Sequence, residues 1–145
     1  MQVKIEHGIE GAKLAVLRKD SIIIVDTIRA STTYVNAFAS GAVRIVPCSS
    51  RDHLDKNMEN YPGALKSGER LCRKIEGYDL GSSPEEMSNT DLTGKTILSS
   101  TTNGSKMVVA SSSSPLVVMG SFCNSNAVVK FMKERTTNVS IICSG

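Results

Sequence analysis

Hydrophobic positions along this chain come in short continuous runs, each followed by a polar loop and then by apolar residues at helical spacing. The clearest run is Ile22-Ile23-Ile24-Val25, four β-branched residues in a row. Such a run predicts a strand buried on both faces, as in a parallel sheet. Asp26 stands where it ends, Arg29 follows, and Ser31-Thr32-Thr33 leads into Tyr34, Val35, Phe38 and Ala39, an apolar helical face closed by Gly41. The rhythm recurs. Residues 43–47 predict a strand and residues 51–59 a helix capped by Ser49 or Ser50 and ended by Pro62-Gly63. Residues 95–100 predict a strand, 101–105 a polar turn and 106–110 a short helix. Residues 116–119 form the next predicted strand, then a loop over 120–124 and a helix from Asn124 or Ser125 through Met132. A last strand covers 138–143.

Two stretches depart from this rhythm. At the N-terminus, residues 3–5 and 14–17 read as short strands around the turn-prone Gly8-Ile9-Glu10-Gly11, and Lys19-Asp20 reads as a second turn, so an antiparallel hairpin is expected there. Residues 68–84 carry charges and three glycines without a clear period, and a long charged loop in a compact domain is usually functional. The expected fold class is α/β: a mostly parallel sheet with helices on both faces and an N-terminal antiparallel hairpin, in a single domain over residues 1–145.

That architecture decides where chemistry can sit. In open α/β folds ligands bind beyond the carboxyl ends of the strands. Asp26, Thr101 and Gly120 would lie on that edge, in loops rich in Ser, Thr, Asn and Gly that each open a helix. Free backbone N–H groups at helix starts suit an oxyanion such as phosphate or sulfonate. Asp26 has a plain alternative as a cap for the following turn. Glu69, Glu76 and Asp79 add acids in the irregular stretch, and Asp26 with Glu69 and Glu76 could hold Mg²⁺, which takes one or two carboxylates together with water and substrate oxygens. Arg29, Arg70 and Lys74 are candidate partners for an anionic substrate, with solvated surface charge as their plain alternative.

Composition narrows the field further. The 145 residues are 40% hydrophobic and 21% charged, with a net charge of +3, the profile of an ordinary globular chain. Three Tyr, three Phe and no Trp leave little to stack on bases, and the basic residues are mixed with acids, which argues against nucleic-acid binding. No stretch approaches the ~20 apolar residues of a membrane span, and residues 1–7 lack the apolar centre of a signal peptide. Cys48, Cys72, Cys123 and Cys143 form no C-x-x-C pair, so zinc and redox motifs are not indicated and free thiols in the cytoplasm are expected. Gly94-Lys95-Thr96 precedes a strand instead of following one, so it is no P-loop, and neither G-x-G-x-x-G nor G-x-S-x-G occurs.

Four blocks, in order, resemble one known family. They are Val25-Asp26-Thr27-Ile28-Arg29-Ala30-Ser31-Thr32-Thr33 with Gly41-Ala42; Gly68-Glu69-Arg70 with Lys74-Ile75-Glu76-Gly77-Tyr78-Asp79-Leu80-Gly81-Ser82-Ser83-Pro84; Thr101-Thr102-Asn103-Gly104; and Gly120-Ser121-Phe122-Cys123-Asn124-Ser125. Together they resemble the 2-phosphosulfolactate phosphatases, the Mg²⁺-dependent enzymes of coenzyme M biosynthesis. The resemblance implies that family's α/β fold and hydrolysis of 2-phospho-3-sulfolactate to 3-sulfolactate and phosphate. It implies catalytic roles for Asp26, Arg29, Arg70 and Lys74, and Mg²⁺ on Asp26, Glu69 and Glu76. Substrate contacts would come from Ser31, Thr32, Thr33, Thr101, Thr102, Asn103, Gly104, Ser121 and Asn124. Family members continue beyond the point matching Gly145, so the chain is expected to be either the N-terminal part of a longer fold or a natural short relative, and a sheet left uncovered after Cys143 favours a homo-oligomer. The alternative reading is a non-catalytic phosphate- or sulfonate-binding module; a nucleic-acid binder is the third.

Overall fold

The computed structural model describes residues 1–144. Its strands are β1 (Gln2–His7), β2 (Ser21–Val25), β3 (Arg44–Pro47), β4 (Leu65–Arg70), β5 (Arg73–Lys74), β6 (Thr96–Ser100), β7 (Val117–Gly120) and β8 (Asn138–Cys143). Its helices are α1 (Gly8–Leu17), α2 (Ala30–Ala39), α3 (Arg51–Met58), α4 (Pro84–Ser88), α5 (Gly104–Ala110) and α6 (Ser125–Lys133), with a 3₁₀ turn at Phe122–Asn124. The strands make two sheets. One, ordered β1-β8-β2-β7, is parallel throughout; the other, ordered β3-β6-β4-β5, is parallel except for the antiparallel β4–β5 pair. The α/β class and the mostly parallel pairing stand as expected, divided between two sheets.

The β-branched run of β2 explains why it is central. Ile22 and Ile24 are fully buried against Ala12, Ala15, Met107 and Ile142, while Ile23 and Val25 face the opposite side, where Val128 of α6 lies over them. In the second sheet Ile97 packs with Ala37 of α2, Met87 of α4 and Leu92, and Leu98 packs on the other face with Leu54 of α3. Both sheets therefore carry helices on both faces. α5 touches β2 of one sheet and β3 of the other, so it spans the junction.

The N-terminal hairpin is overturned. Residues 8–17 form α1, and β1 pairs in parallel with β8; among the described residues it has no antiparallel partner. The sequence contains the physical reason in its small residues: Gly11, Ala12 and Ala15 are the buried positions of α1, at helical spacing, while Leu14 and Leu17 point outward. A Cβ on Gly11 would lie 2.6 Å from Glu6 Cβ, so its absence lets α1 fold back on β1. The irregular stretch is also more ordered than expected. β4 and β5 form a hairpin there, and Leu80 bridges back to Ser67. β4 escapes an apolar reading because its buried residues are Ser67, Gly68 and Glu69.

At the end opposite the carboxyl edge, Asp20 precedes β2 and is almost fully buried. It accepts hydrogen bonds from Arg18 Nε (2.9 Å), Lys4 Nζ (3.1 Å) and Ser140 Oγ (2.8 Å), tying β1, β2 and β8 together. Burial pushes its pKa up, but the bonds from Arg18, Ser140 and Lys4 outweigh that and hold it below the usual value. Because the folded pKa is depressed, this contribution is complete above the ordinary carboxylate range and is lost as pH falls through the lower folded value. Asp20→Asn should cost about 2 kcal/mol in denaturant unfolding at pH 7. That deficit should shrink as pH is lowered below about 4.

Candidate functional site

Four strands from the two sheets end around one cavity of about 280 Å³. β2 delivers Asp26, Arg29 and Ala30, β4 delivers Glu69, β6 delivers Thr101, Thr102 and Asn103, and β8 delivers Ser144. The β4–β5 turn closes one side with Leu71 and Cys72, and Ser82 lines another. The cavity thus lies at the carboxyl edge, where open α/β sheets bind ligands.

Asp26 is fixed from both sides. Its Oδ1 accepts from the Ala30 amide (3.2 Å) and its own amide donates to Ser31 Oγ (3.2 Å), so it does cap the start of α2. Among the described residues Oδ2 accepts no hydrogen bond. It faces Gly104, where a Cβ would fall 2.5 Å from Oδ2 and 2.5 Å from Ala30 Cβ. The glycine is needed for close approach: α5 can start beside the Asp26 corner only without a side chain. Capping and chemistry are therefore both open to Asp26, one oxygen to each.

Glu69 is also buried, but both its oxygens are occupied. Oε1 accepts from the Thr102 amide at 2.6 Å and Oε2 from the Cys72 amide at 3.0 Å. Burial raises its pKa, and the hydrogen bonds from Thr102 and Cys72 with the charge of Arg70 more than offset this, keeping it below the ordinary carboxylate value. Glu76 is exposed and lies outside the cavity lining. Among the described residues, no three His, Cys, Asp or Glu side chains converge as a metal cluster.

The cations separate in the same way. Arg29 lines the cavity and donates to the Cys72 carbonyl at 3.3 Å. Arg70 turns back into the sheet, donating to Ser100 O (3.0 Å) and Ser100 Oγ (2.9 Å). Lys74 donates to Asp79 O (2.6 Å) and lies 3.6 Å from Glu86. The hydroxyl run after β2 serves the backbone: Ser31 caps Asp26, Thr32 donates to Thr27 O (2.7 Å), and Thr33 donates to Arg29 O (2.9 Å). Thr101 Oγ1 accepts from the Ser105 amide at 2.9 Å. Among the described residues Thr102 Oγ1 is buried with no close partner beyond its approach to Glu69, and Asn103 is exposed at the rim, so these two could donate to a ligand. Ser121 and Asn124 stand apart, closing a capping box on one another.

The structure therefore gathers Asp26, Arg29, Glu69, Thr101, Thr102 and Asn103, with Gly104 packed behind them. It does not bring Arg70, Lys74, Glu76, Ser121 or Asn124 into the cavity lining. Sequence reading missed Leu71, Cys72, Ser82 and Ser144 as lining residues; the first two would have been found by placing the β4–β5 hairpin. Two carboxylates against one guanidinium leave the lining short of positive charge for a phosphate dianion. A divalent cation would supply the charge this donor set lacks, and Asp26, whose Oδ2 accepts no hydrogen bond among the described residues, is compatible with the mode in which Mg²⁺ takes a single carboxylate beside substrate oxygens. The three-carboxylate site does not form.

Fold and cavity together define an α/β protein with a cavity carrying charged and hydroxyl side chains at the carboxyl edge of its strands. Residues 9–145 match the 2-phosphosulpholactate phosphatase family, and the chain belongs to it. It is 36% identical over 133 residues to a protein of Carboxydothermus hydrogenoformans, covering 92% of this chain and 55% of that one. It is 33% identical over 132 residues to one from Caldanaerobacter subterraneus, covering 89% and 54%, and 28% identical over 146 residues to one from Clostridium acetobutylicum, covering 100% and 62%. All three carry the name "probable 2-phosphosulfolactate phosphatase". The chain spans a little over half the length of these curated relatives.

Gly104→Ala should move either α5 or the Asp26 corner, since neither Asp26 Oδ2 nor Ala30 can share the space. A loss of about 2 kcal/mol in chemical denaturation is expected. A fully stable alanine variant would mean that α5 does not start against Asp26.

Proposed function

We propose that the chain hydrolyses the phosphate ester of a small phosphorylated acid of the 2-phospho-3-sulfolactate kind, releasing 3-sulfolactate and phosphate. The observation that carries this reading is Asp26: a buried carboxylate locked by the Ala30 amide, with its second oxygen unbonded beside the only cavity-lining guanidinium among the described residues. Phosphoryl transfer is mainly positioning and charge neutralisation. Arg29 would hold phosphate oxygens, and Thr102 Oγ1 and Asn103 would donate to the remaining oxygens of the ester or acid. Burial among the strand ends would keep bulk water from competing for these donors. In this reading Asp26 would hold Mg²⁺, which would supply charge neutralisation and Lewis-acid polarisation at the phosphate.

Among the described residues, no helix is long and apolar enough to cross a membrane, and all four cysteines are free. We place the reaction in the cytoplasm, in keeping with free thiols. The name shared by the relatives supports the phosphatase reading and its substrate class. A second reading, anion binding without turnover, draws on Arg70 and Lys74 being held elsewhere, which leaves one cation at the cavity.

Asp26→Asn should lower phosphate release from 2-phosphosulfolactate by at least about 10³-fold, the scale of a lost charge-stabilising group. Its circular dichroism and unfolding midpoint should stay near those of the parent, since Asn Oδ1 can still accept from Ala30. Near-normal release by the variant would remove Asp26 from the chemistry. Stabilisation of the parent by phosphate with no release at all would favour the second reading.

A further inference from the structure

The β4–β5 turn is an unusual wall for a binding site. Leu71 and Cys72 both lie in the left-handed region, at φ 51° and 64°, and neither is glycine. Non-glycine residues rarely adopt that backbone, and two-residue turns that need it at both positions favour Asn-Gly. Packing does not hold this turn, because Leu71 is 88% exposed. β5 is only two residues long, so the ladder behind the turn is short.

Hydrogen bonds hold the turn in place. Glu69 Oε2 accepts from the Cys72 amide at 3.0 Å, while Oε1 accepts from the Thr102 amide at 2.6 Å across the cavity wall. The Cys72 carbonyl then accepts from Arg29 Nη2 at 3.3 Å. One carboxylate therefore fastens the hairpin turn to the loop after β6, and the turn in its turn locates the guanidinium. Removing the clasp would free the Leu71-Cys72 turn from the Thr102 loop, leaving Arg29 to follow an unanchored turn.

We propose that Glu69 is a positioning residue, a clasp whose two oxygens fix the Leu71-Cys72 turn and the Thr102 loop and thereby set the distance between Arg29 and the donors facing it. This rests on the phosphatase reading for its effect on turnover, but the clasp itself can be tested without turnover. Glu69 does not need to touch the phosphate or a metal, because both oxygens already accept strong amide bonds. A glutamine keeps one acceptor and turns an NH₂ toward the other amide, so it breaks half the clasp at nearly unchanged volume. If the clasp exists to hold a left-handed turn, a turn that adopts that backbone unaided should replace it.

Three chains decide the matter: the parent, Glu69→Gln, and Glu69→Gln combined with Leu71→Asn and Cys72→Gly. Amide hydrogen exchange at positions 72 and 102 reads the clasp directly, and KM and kcat for phosphate release from 2-phosphosulfolactate read its consequence. Glu69→Gln should speed exchange at one or both amides and raise KM by about tenfold each, the size of one lost charged hydrogen bond, with a smaller fall in kcat. The Asn-Gly turn offers the amide of position 72 no acceptor of its own, so exchange there should stay fast while most of KM is recovered, because the turn now holds its backbone unaided. Unchanged exchange in Glu69→Gln overturns the clasp. So does an Asn-Gly turn that fails to recover KM. Recovered KM with kcat still collapsed also overturns it, because Glu69 would then act on the reacting groups. A parent that releases no phosphate defeats the phosphatase reading alone, and the exchange result still judges the clasp.

Discussion

The close approach of Gly104 to the Asp26 corner links the two halves of this molecule. Asp26 ends a strand of the fully parallel sheet, and Gly104 begins the helix that follows a strand of the second sheet. With no Cβ between them, α5 lies against both β2 and β3, and the carboxyl ends of both sheets converge on a single cavity. A larger residue at position 104 would force these ends apart. The catalytic candidate and the packing contact that joins the sheets are thus one feature, so Asp26 cannot be repositioned without disturbing the join.

Around that corner the polar groups divide by task. Most hydroxyls after β2 and β6 satisfy backbone groups at the strand-to-helix turns, as buried polar groups must. Glu69 satisfies amides on two loops. Arg70 stitches β4 to β6 through Ser100. What is left for a ligand is small: Asp26 Oδ2, the Arg29 guanidinium, Thr102 Oγ1, the exposed side chain of Asn103 and the hydroxyls of Ser82 and Ser144. A site this lean suits a small anion brought in with a cation. It also explains why so many residues of the right chemical type lie in motifs around it without entering it.

Legibility from sequence followed the apolar signal. β2, β6, β7 and β8 each show a short aliphatic run, and placing them also placed Asp26 and the residues after Ser100 at the working edge. α1 was hidden because its buried face is Gly11, Ala12 and Ala15, whose small side chains carry almost no hydropathy contrast, while the exposed Leu14 and Leu17 mimic a strand. β4 was hidden because its buried positions are polar or glycine. Without β4, the hairpin and its turn could not be foreseen, and residue type with motif membership nominated Glu76 and Lys74, neither of which reaches the cavity lining. Motif membership located the neighbourhood of the site. Only the strand ends and the hydrogen bonds decide which members reach the ligand.

The central claim is that the cavity at the joined strand ends binds the phosphate. It is tested most directly by titrating the ¹⁵N-labelled chain with inorganic phosphate in the presence of Mg²⁺ and following every backbone amide. The account predicts saturable shifts concentrated at residues 26–30, 71–72 and 101–103, on three of the segments that line the cavity. Shifts confined to the basic surface of α6 around Lys130 and Lys133, or the absence of saturable shifts anywhere, would contradict it.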